Sequence, residues 1–238
     1  MRALPVLFAA ASAVLQAQPD VLTAVERKAG WELLFDGHNT SHWRGTASEG
    51  FPSGCWTVDN GSLRARVGKD VSIREDLVSK ESFRDFELTF ECRLTPGANT
   101  GVKYLVQKHI PLPSGHDYAV GFEFQLIDNE GNPDARRSPD RRSGAMYGHF
   151  PPSQDAVRAV GEWNHGRIIL RNKVVQHWLN SVKVVQYRLD DEKFLDSVKT
   201  ARTTTRNMAG WTNWSAPLSL QHHDGDVWFR NLKVRRLP

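Results

Sequence analysis

Cysteine is scarce: Cys55 and Cys92 are the only two in 238 residues. At most one disulfide can form, and only in an oxidising compartment. Cys92 also continues the apolar face of its strand, where a buried free thiol fits equally well. Past the N-terminus, no apolar run approaches the length needed to span a membrane. Charge of one sign is also lacking, with a net formal charge of only +4. The most basic stretch, DARRSPDRRSG, sets Arg136, Arg137, Arg141 and Arg142 among Asp134 and Asp140. A nucleic-acid arm would not interleave acids in this way. The stretch reads as a solvated loop with internal ion pairs, and neither nucleic acid nor membrane is an expected partner. Several catalytic signatures are missing as well: a glycine-rich phosphate loop, His-Glu-x-x-His, Cys-x-x-Cys and Gly-x-Ser-x-Gly.

What is present begins with MRALPVLFAAASAVLQAQPD. One arginine, an apolar run and then small residues make the layout of a secretory signal peptide over residues 1–17, cleaved after Ala17. The expected protein is exported, periplasmic or extracellular, with residues 18–238 forming a single domain. Strand signals dominate that domain. FELTFECRL (86–94) alternates strictly, with Phe86, Leu88, Phe90, Cys92 and Leu94 on one face. Asn60-Gly61 separates two alternating runs as a hairpin turn. Residues 167–189 read as three strands turning at Asn172-Lys173 and Asn180-Ser181. A last hairpin is predicted around Asp224-Gly225, and the one helix candidate spans 20–28. Closely spaced antiparallel strands without βαβ alternation give an all-β sandwich or jelly roll. Long irregular stretches at 39–55, 107–119, 129–160 and 195–216 are expected to shape a site.

Candidate chemistry starts at GFEFQLIDNEGNPDA (121–135). Phe122, Phe124 and Leu126 share one face of a strand, and Glu123 and Gln125 share the other, about 7 Å apart. Lys103, His177, Gln221, His222 and His223 are further polar residues in strand-like surroundings. Their convergence on one face would make a site. Eight tryptophans are a high count. Of these, Trp43, Trp211 and Trp214 lie in loop-like surroundings, where flat rings beside amides suit a sugar. Glu123 and Asp128 are similar to the carboxylate-rich strand of laminarinase-type sandwich glycosidases. Their five-residue offset, however, puts them on opposite faces, so a paired-carboxylate mechanism is poorly supported.

Nine segments in order resemble one family. Among them are GWELLFDGHNTSHWRG, NTGVKYLV, GFEFQLIDNEGNPDA, GAMYGHFPP, VGEWNHGRIIL, VVQHWLNSVKVV and LSLQHHDGDVWFRNLKVRRL. The family is the 3-keto-disaccharide hydrolase domain, also described as a 3-keto-glucoside lyase/hydratase domain. The resemblance implies a concanavalin/laminarinase-like jelly roll acting on 3-keto sugars or glycosides, paired functionally with a separate sugar 3-oxidoreductase. It carries Lys103, Glu123, Gln125, Asp128, His177, Gln221 and His223 onto polar positions of the family pattern. The catalytic candidates are Lys103, Glu123 and His177, and the substrate-binding candidates are Gln125, Asp128, Tyr147, Trp211, Gln221 and His223. Departures are Thr100 for serine, Ser181 for glycine, and His222 where the family has an acid. A divalent metal held by His177, His223 and Glu123 is a further expectation, set against no metal at all.

In the implied chemistry a C3 ketone acidifies the C2 proton, and elimination then expels the aglycone from C1. That needs a base of pKa near the working pH, His177 or a buried Glu123, and a cation at the C3 oxygen, Lys103. The competing readings are a non-catalytic carbohydrate-binding module, which needs no buried Lys, His and Glu together, and a structural sandwich with no deep polar pocket.

Overall fold

A computed structural model describes residues 20–208, 210–211 and 213–238. The expected signal peptide, 1–17, lies outside the described residues. In chain order the strands are β1 (Trp31–Leu33), β2 (Trp43–Gly45), β3 (Trp56–Asp59), β4 (Ser62–Ala65), β5 (Arg74–Glu75), β6 (Leu77–Phe83) and β7 (Phe86–Leu94). They continue with β8 (Asn99–Pro111), β9 (His116–Ile127), β10 (Trp163–Arg171), β11 (Val174–Leu179), β12 (Val182–Arg188), β13 (Ala216–Leu220) and β14 (Val227–Arg236). Among the described residues, two α-helices accompany them, α1 (Ala24–Lys28) and α2 (Glu192–Thr200).

The strands form two sheets, as the alternating sequence requires. An eight-stranded sheet runs β12-β11-β10-β7-β14-β4-β3, with β1 added alongside β14; a six-stranded sheet runs β2-β6-β13-β8-β9-β5. Phe86, Leu88 and Phe90 from β7 meet Phe122, Phe124 and Leu126 from β9 in one buried core. The rings of Phe90 and Phe124 pack edge to face at 5.6 Å. Burying each such side chain stabilises the fold by roughly 1.5–3 kcal/mol. Two-residue turns close the hairpins: φ is positive at Asn60 and Gly61, at Asn172 and Lys173, and at Asn180 and Ser181. Those angles match the right-handed twist of the flanking strands.

Three local expectations are corrected. β13 and β14 do not pair: β13 lies between β6 and β8, and β14 lies in the other sheet. The chain around Asp224-Gly225 is a crossover between sheets, which a hairpin turn signal cannot distinguish. Residues 107–119 are mostly strand, because β8 and β9 form one long hairpin. Helix α2 was not expected, although Asp191 caps it and Phe194 and Val198, four apart, are buried. Cys55 and Cys92 are both buried, unpaired thiols. Burial pushes Cys55 up to about 11.

Candidate active site

On the outward face of the six-stranded sheet lies a cavity of about 400 Å³, within the range of small-molecule sites. Strand alternation builds its floor. Because Val102 and Tyr104 face the core, Lys103 between them faces out; Glu123 and Gln125 alternate with Phe122, Phe124 and Leu126 in the same way. Register sets Lys103 opposite Glu123 and Gly101 opposite Gln125. At the end of β13, the Gln221 N–H donates to the Gly101 carbonyl at 2.9 Å, which brings Gln221 alongside. With its carboxamide oriented to suit both neighbours, Gln221 donates to Glu123 Oε1 at 3.1 Å and accepts from Lys103 Nζ at 3.2 Å. Gly101 leaves the space that Glu123 fills: a Cβ there would lie 2.1 Å from Glu123 Oε1.

Below the floor is Asp76, wholly buried, between β5 and β6. Its carboxylate accepts from Lys103 Nζ at 2.8 Å, from the Ala119 N–H at 3.0 Å and from the His222 N–H at 2.9 Å. His116 Nε2 lies 3.4 Å away. Burial alone would raise Asp76, but the Lys103 charge and these hydrogen bonds outweigh it and hold the group at about 2. Lys103 also donates to the Ala119 carbonyl at 3.0 Å. With Asp76 and Gln221, that occupies all three ammonium hydrogens. Glu123 has no such support. Burial pushes its carboxyl up to about 7, against the pull of Lys103 and His223. His223 forms an ion pair with Asp224 at 2.9 Å. Burial would lower its imidazole, but Asp224 and Glu123 outweigh that and raise its pKa.

The walls come from two loops. Residues 143–147 run beside β9: the Gly144 N–H donates to the Gln125 carbonyl at 2.8 Å and the Tyr147 N–H to the Glu123 carbonyl at 3.1 Å. Tyr147 is thereby held next to Glu123. Its hydroxyl donates to Asp134 at 2.7 Å and accepts from Arg141 at 2.8 Å. Asp134 also takes Arg141 at 2.5 Å and Arg137 at 3.2 Å. The second wall follows α2 and contributes Arg202 and Thr203.

Of the residues expected from sequence, Lys103, Glu123, Gln125, Tyr147, Gln221 and His223 all line this cavity. Three do not. His177 is fully buried between the sheets, with Nε2 2.9 Å from the Tyr104 hydroxyl, Nδ1 3.2 Å from the Gly144 carbonyl, and its ring 4.7 Å from that of Phe124. Burial pushes it down to about 4. It is a neutral core histidine on the far side of the sheet from Glu123. The expected metal set of His177, His223 and Glu123 is therefore not assembled. Among the described residues, no group of three His, Cys, Asp or Glu side chains is placed to hold a metal. Asp128 organises a turn instead, accepting from the N–H groups of Gly97, Glu130 and Gly131 at 2.8, 3.1 and 2.9 Å.

Trp211 packs on Phe122 and Trp214, and Trp43 is buried with its indole on the Leu34 carbonyl. No tryptophan is among the described residues lining the cavity, whose aromatic rings are Tyr118, Tyr147 and two histidines. Sequence reading missed Asp76, His116, Tyr118, Arg137, Arg141 and Arg202. Arg137 and Arg141 do make the expected ion pairs, yet they also face the cavity. The signal available for them was a long loop that begins directly after the Glu123 strand.

A β-sandwich with a polar cavity on one sheet, floored by a buried lysine and a glutamate of raised pKa, defines a small-molecule site with acid–base capability. Residues 30–235 match the 3-keto-alpha-glucoside-1,2-lyase-like domain, and the chain belongs to that family of carbohydrate-active enzymes. A 3-keto-disaccharide hydrolase of Bacteroides thetaiotaomicron is 28% identical over 229 residues, covering 87% of this chain and 79% of the relative. The fold is shared with a Parabacteroides distasonis crystal structure provisionally described as a glycosyl hydrolase. Its TM-score is 0.80 at 23% identity, over 93% of this chain and 100% of that one. A second such structure from the same organism gives 0.64 at 23% identity, over 87% and 99%.

Proposed function

We propose that the protein cleaves 3-keto-glycosides by β-elimination and hydrates the resulting enone, a net 3-keto-disaccharide hydrolysis. The observation that carries this reading is Glu123: a carboxyl raised to about 7 and the only carboxylate among the described residues lining the cavity. Ordinary glycosidases need two carboxyl groups flanking the scissile bond, and the described residues lining the cavity hold no second one. Elimination next to a ketone needs one base of pKa near the working pH, which suits Glu123. Glu123 takes the proton from C2, and the electron pair forms the enolate of the C3 ketone. The enolate collapses to a C1–C2 double bond as the C1–O bond breaks and the leaving oxygen is protonated. Water then adds at C1, a proton returns to C2, and the sum is hydrolysis.

With His177 in the core, the base falls to Glu123 alone. Lys103 has its three hydrogens engaged, so it acts through its charge and through Gln221 and does not donate to substrate. A donor beside Glu123 is His223, whose charged form Asp224 and Glu123 favour; in this reading it donates to the oxygen on which charge develops. The unpartnered carboxamide oxygen of Gln125 is an acceptor for a sugar hydroxyl. The reading requires a separate oxidoreductase to make the C3 ketone, and it includes export. The test is to incubate the protein with a 3-keto-disaccharide and with its unoxidised parent and to follow released sugar. Release from the ketone alone is expected, because only there is the C2 proton acidic. Efficient cleavage of the unoxidised parent would overturn the mechanism.

A further inference from the structure

Among the described residues, the cavity is lined by four basic side chains, Lys103, Arg137, Arg141 and Arg202, against the one carboxylate of Glu123. Elimination needs a base and a donor but has no use for three guanidinium groups at the rim. Lys103 is neutralised by Asp76 beneath it at 2.8 Å. Asp134 is shared between Arg137 at 3.2 Å and Arg141 at 2.5 Å, so one negative charge serves two positive ones. Arg141 is held in place by Asp134, by the Tyr147 hydroxyl and by the Tyr147 ring, 5.1 Å from its Cζ. Only its Nη1 is used, and its Nε and Nη2 hydrogens have no partner among the described residues. Arg202 is exposed and makes no ion pair or hydrogen bond among the described residues. A concave wall with an excess of one charge focuses field into the cavity. A guanidinium presents its donors as a planar fork matched to an oxyanion.

We infer that the rim selects glycosides whose leaving sugar carries an anionic group, a uronic carboxylate or a sulfate ester, seated on Arg137, Arg141 and Arg202. This rests on the proposed cleavage of 3-keto-glycosides and names which of them fit this cavity. The anion stays on the leaving sugar, away from Glu123, so it does not oppose removal of the C2 proton.

The experiment compares three 3-keto-glucosyl disaccharides linked through the same oxygen, whose leaving sugars are glucose, glucuronic acid and a glucose sulfate. At low salt, kcat/KM for one or both anionic forms is expected to exceed that for the neutral form about tenfold. Which of the two is preferred tells carboxylate from sulfate. The preference should shrink at about 1 M salt, where screening is nearly complete over a few ångströms. Arg202→Ala and Arg137→Ala should each lower the ratio of anionic to neutral kcat/KM, whatever happens to the neutral rate. Arg171→Ala removes the same charge from an exposed site on β10 and should leave the ratio unchanged. An equal fall with Arg171→Ala would assign the effect to overall charge and overturn the rim. Cleavage of the neutral substrate with an anionic-to-neutral ratio of one or less overturns this inference alone. Failure to cleave any of the three overturns the parent reading with it.

Discussion

The outward faces of the two sheets use the same residue types to opposite effect. On the eight-stranded sheet, arginines and tryptophans interleave. Arg93 lies 5.0 Å from the ring of Trp163 and 4.4 Å from that of Trp228, and Arg230 lies 4.0 Å from the ring of Trp163. Carboxylates complete the pattern: Glu91 takes Arg230 at 2.7 Å, and Glu87 takes Arg167 and Arg235. These groups neutralise one another at a wet surface. On the six-stranded sheet, Asp76 and Lys103 are buried, and Glu123 stands with one carboxamide hydrogen bond and a raised pKa. Charge satisfied at a surface makes a stable wall, whereas charge left under-satisfied in a cavity makes a reactive group.

The sharpest way to break this contrast is Asp76→Asn. It would leave Lys103 buried without its counter-charge, a loss of about 3–5 kcal/mol. For a chain of this size that lowers the unfolding midpoint by about 6–20 °C, read by tryptophan fluorescence on heating. Cleavage of the 3-ketone should disappear with it. The double variant Asp76→Asn, Lys103→Met removes both charges and should recover much of the stability but none of the activity. A double variant as unstable as the single one would mean that Asp76 supports the fold mainly through the N–H groups of Ala119 and His222.

Next in size is Glu123→Gln. The neutral amide keeps the shape of the side chain, so the protein should fold with an unchanged circular dichroism spectrum. Loss of a general base typically costs about 10²–10⁴ in rate, and kcat on a 3-keto-disaccharide should fall by that much. Gly101→Ala should approach the same loss by steric means, since its Cβ would claim the place of the Glu123 carboxylate. Full activity in Gly101→Ala would show that Glu123 can work from another position.

These two sheets also differ in how far the sequence exposes them. Alternation in 86–94 and 121–126 identified the core faces and set Glu123 and Gln125 outward, because a period of two leaves no other choice. The same periodicity says only that His177 and Trp178 face opposite ways. Which of them enters the core depends on which side of that sheet the other sheet packs, and this is long-range information. Asp76 was invisible for a different reason. It sits between two strands in REDLV, with no pattern to mark it, and gains its role from Lys103, 27 positions away in the chain. Arg202 follows a helix that falls largely in a stretch read as irregular, because the Phe194/Val198 pair is too short a pattern to mark a helix by itself.

A smaller effect concerns pH. Glu123 binds its proton more tightly in the folded protein, at about 7 against an ordinary 4.5. Its contribution to stability is therefore full below the ordinary value and is lost as pH rises through about 7, by on the order of 3 kcal/mol. Asp76 has the opposite sign, at about 2 against 3.8: its contribution is present above the ordinary value and is lost as pH falls towards about 2. Activity should follow Glu123 and rise with pH through about 7 as the base ionises. Melting curves for the native protein and Glu123→Gln between about pH 5 and 8 isolate the term. The native protein should lose stability relative to the variant as pH rises. Parallel curves would place the Glu123 pKa at its ordinary value and remove it as the base.

The smallest effect is expected from Glu91→Gln, the counterpart of Asp76→Asn on the other sheet. The distances are alike, 2.7 Å for Glu91 to Arg230 and 2.8 Å for Asp76 to Lys103, so distance alone would predict similar losses. Exposure separates them: the Glu91 and Arg230 side chains are 23% and 29% exposed, against 0% and 4% for Asp76 and Lys103. When Glu91 is neutralised, Arg230 keeps water and the face of Trp163, so no buried charge is stranded. A pair in that setting contributes about 1 kcal/mol or less, a midpoint shift of about 2–4 °C at most. Cleavage of a 3-keto-disaccharide should be unaffected, since Glu91 lies on the opposite side of the sandwich from the cavity. A loss as large as that of Asp76→Asn would show that the tryptophan–arginine layer excludes water as fully as the cavity floor does, and the contrast between the two faces would collapse.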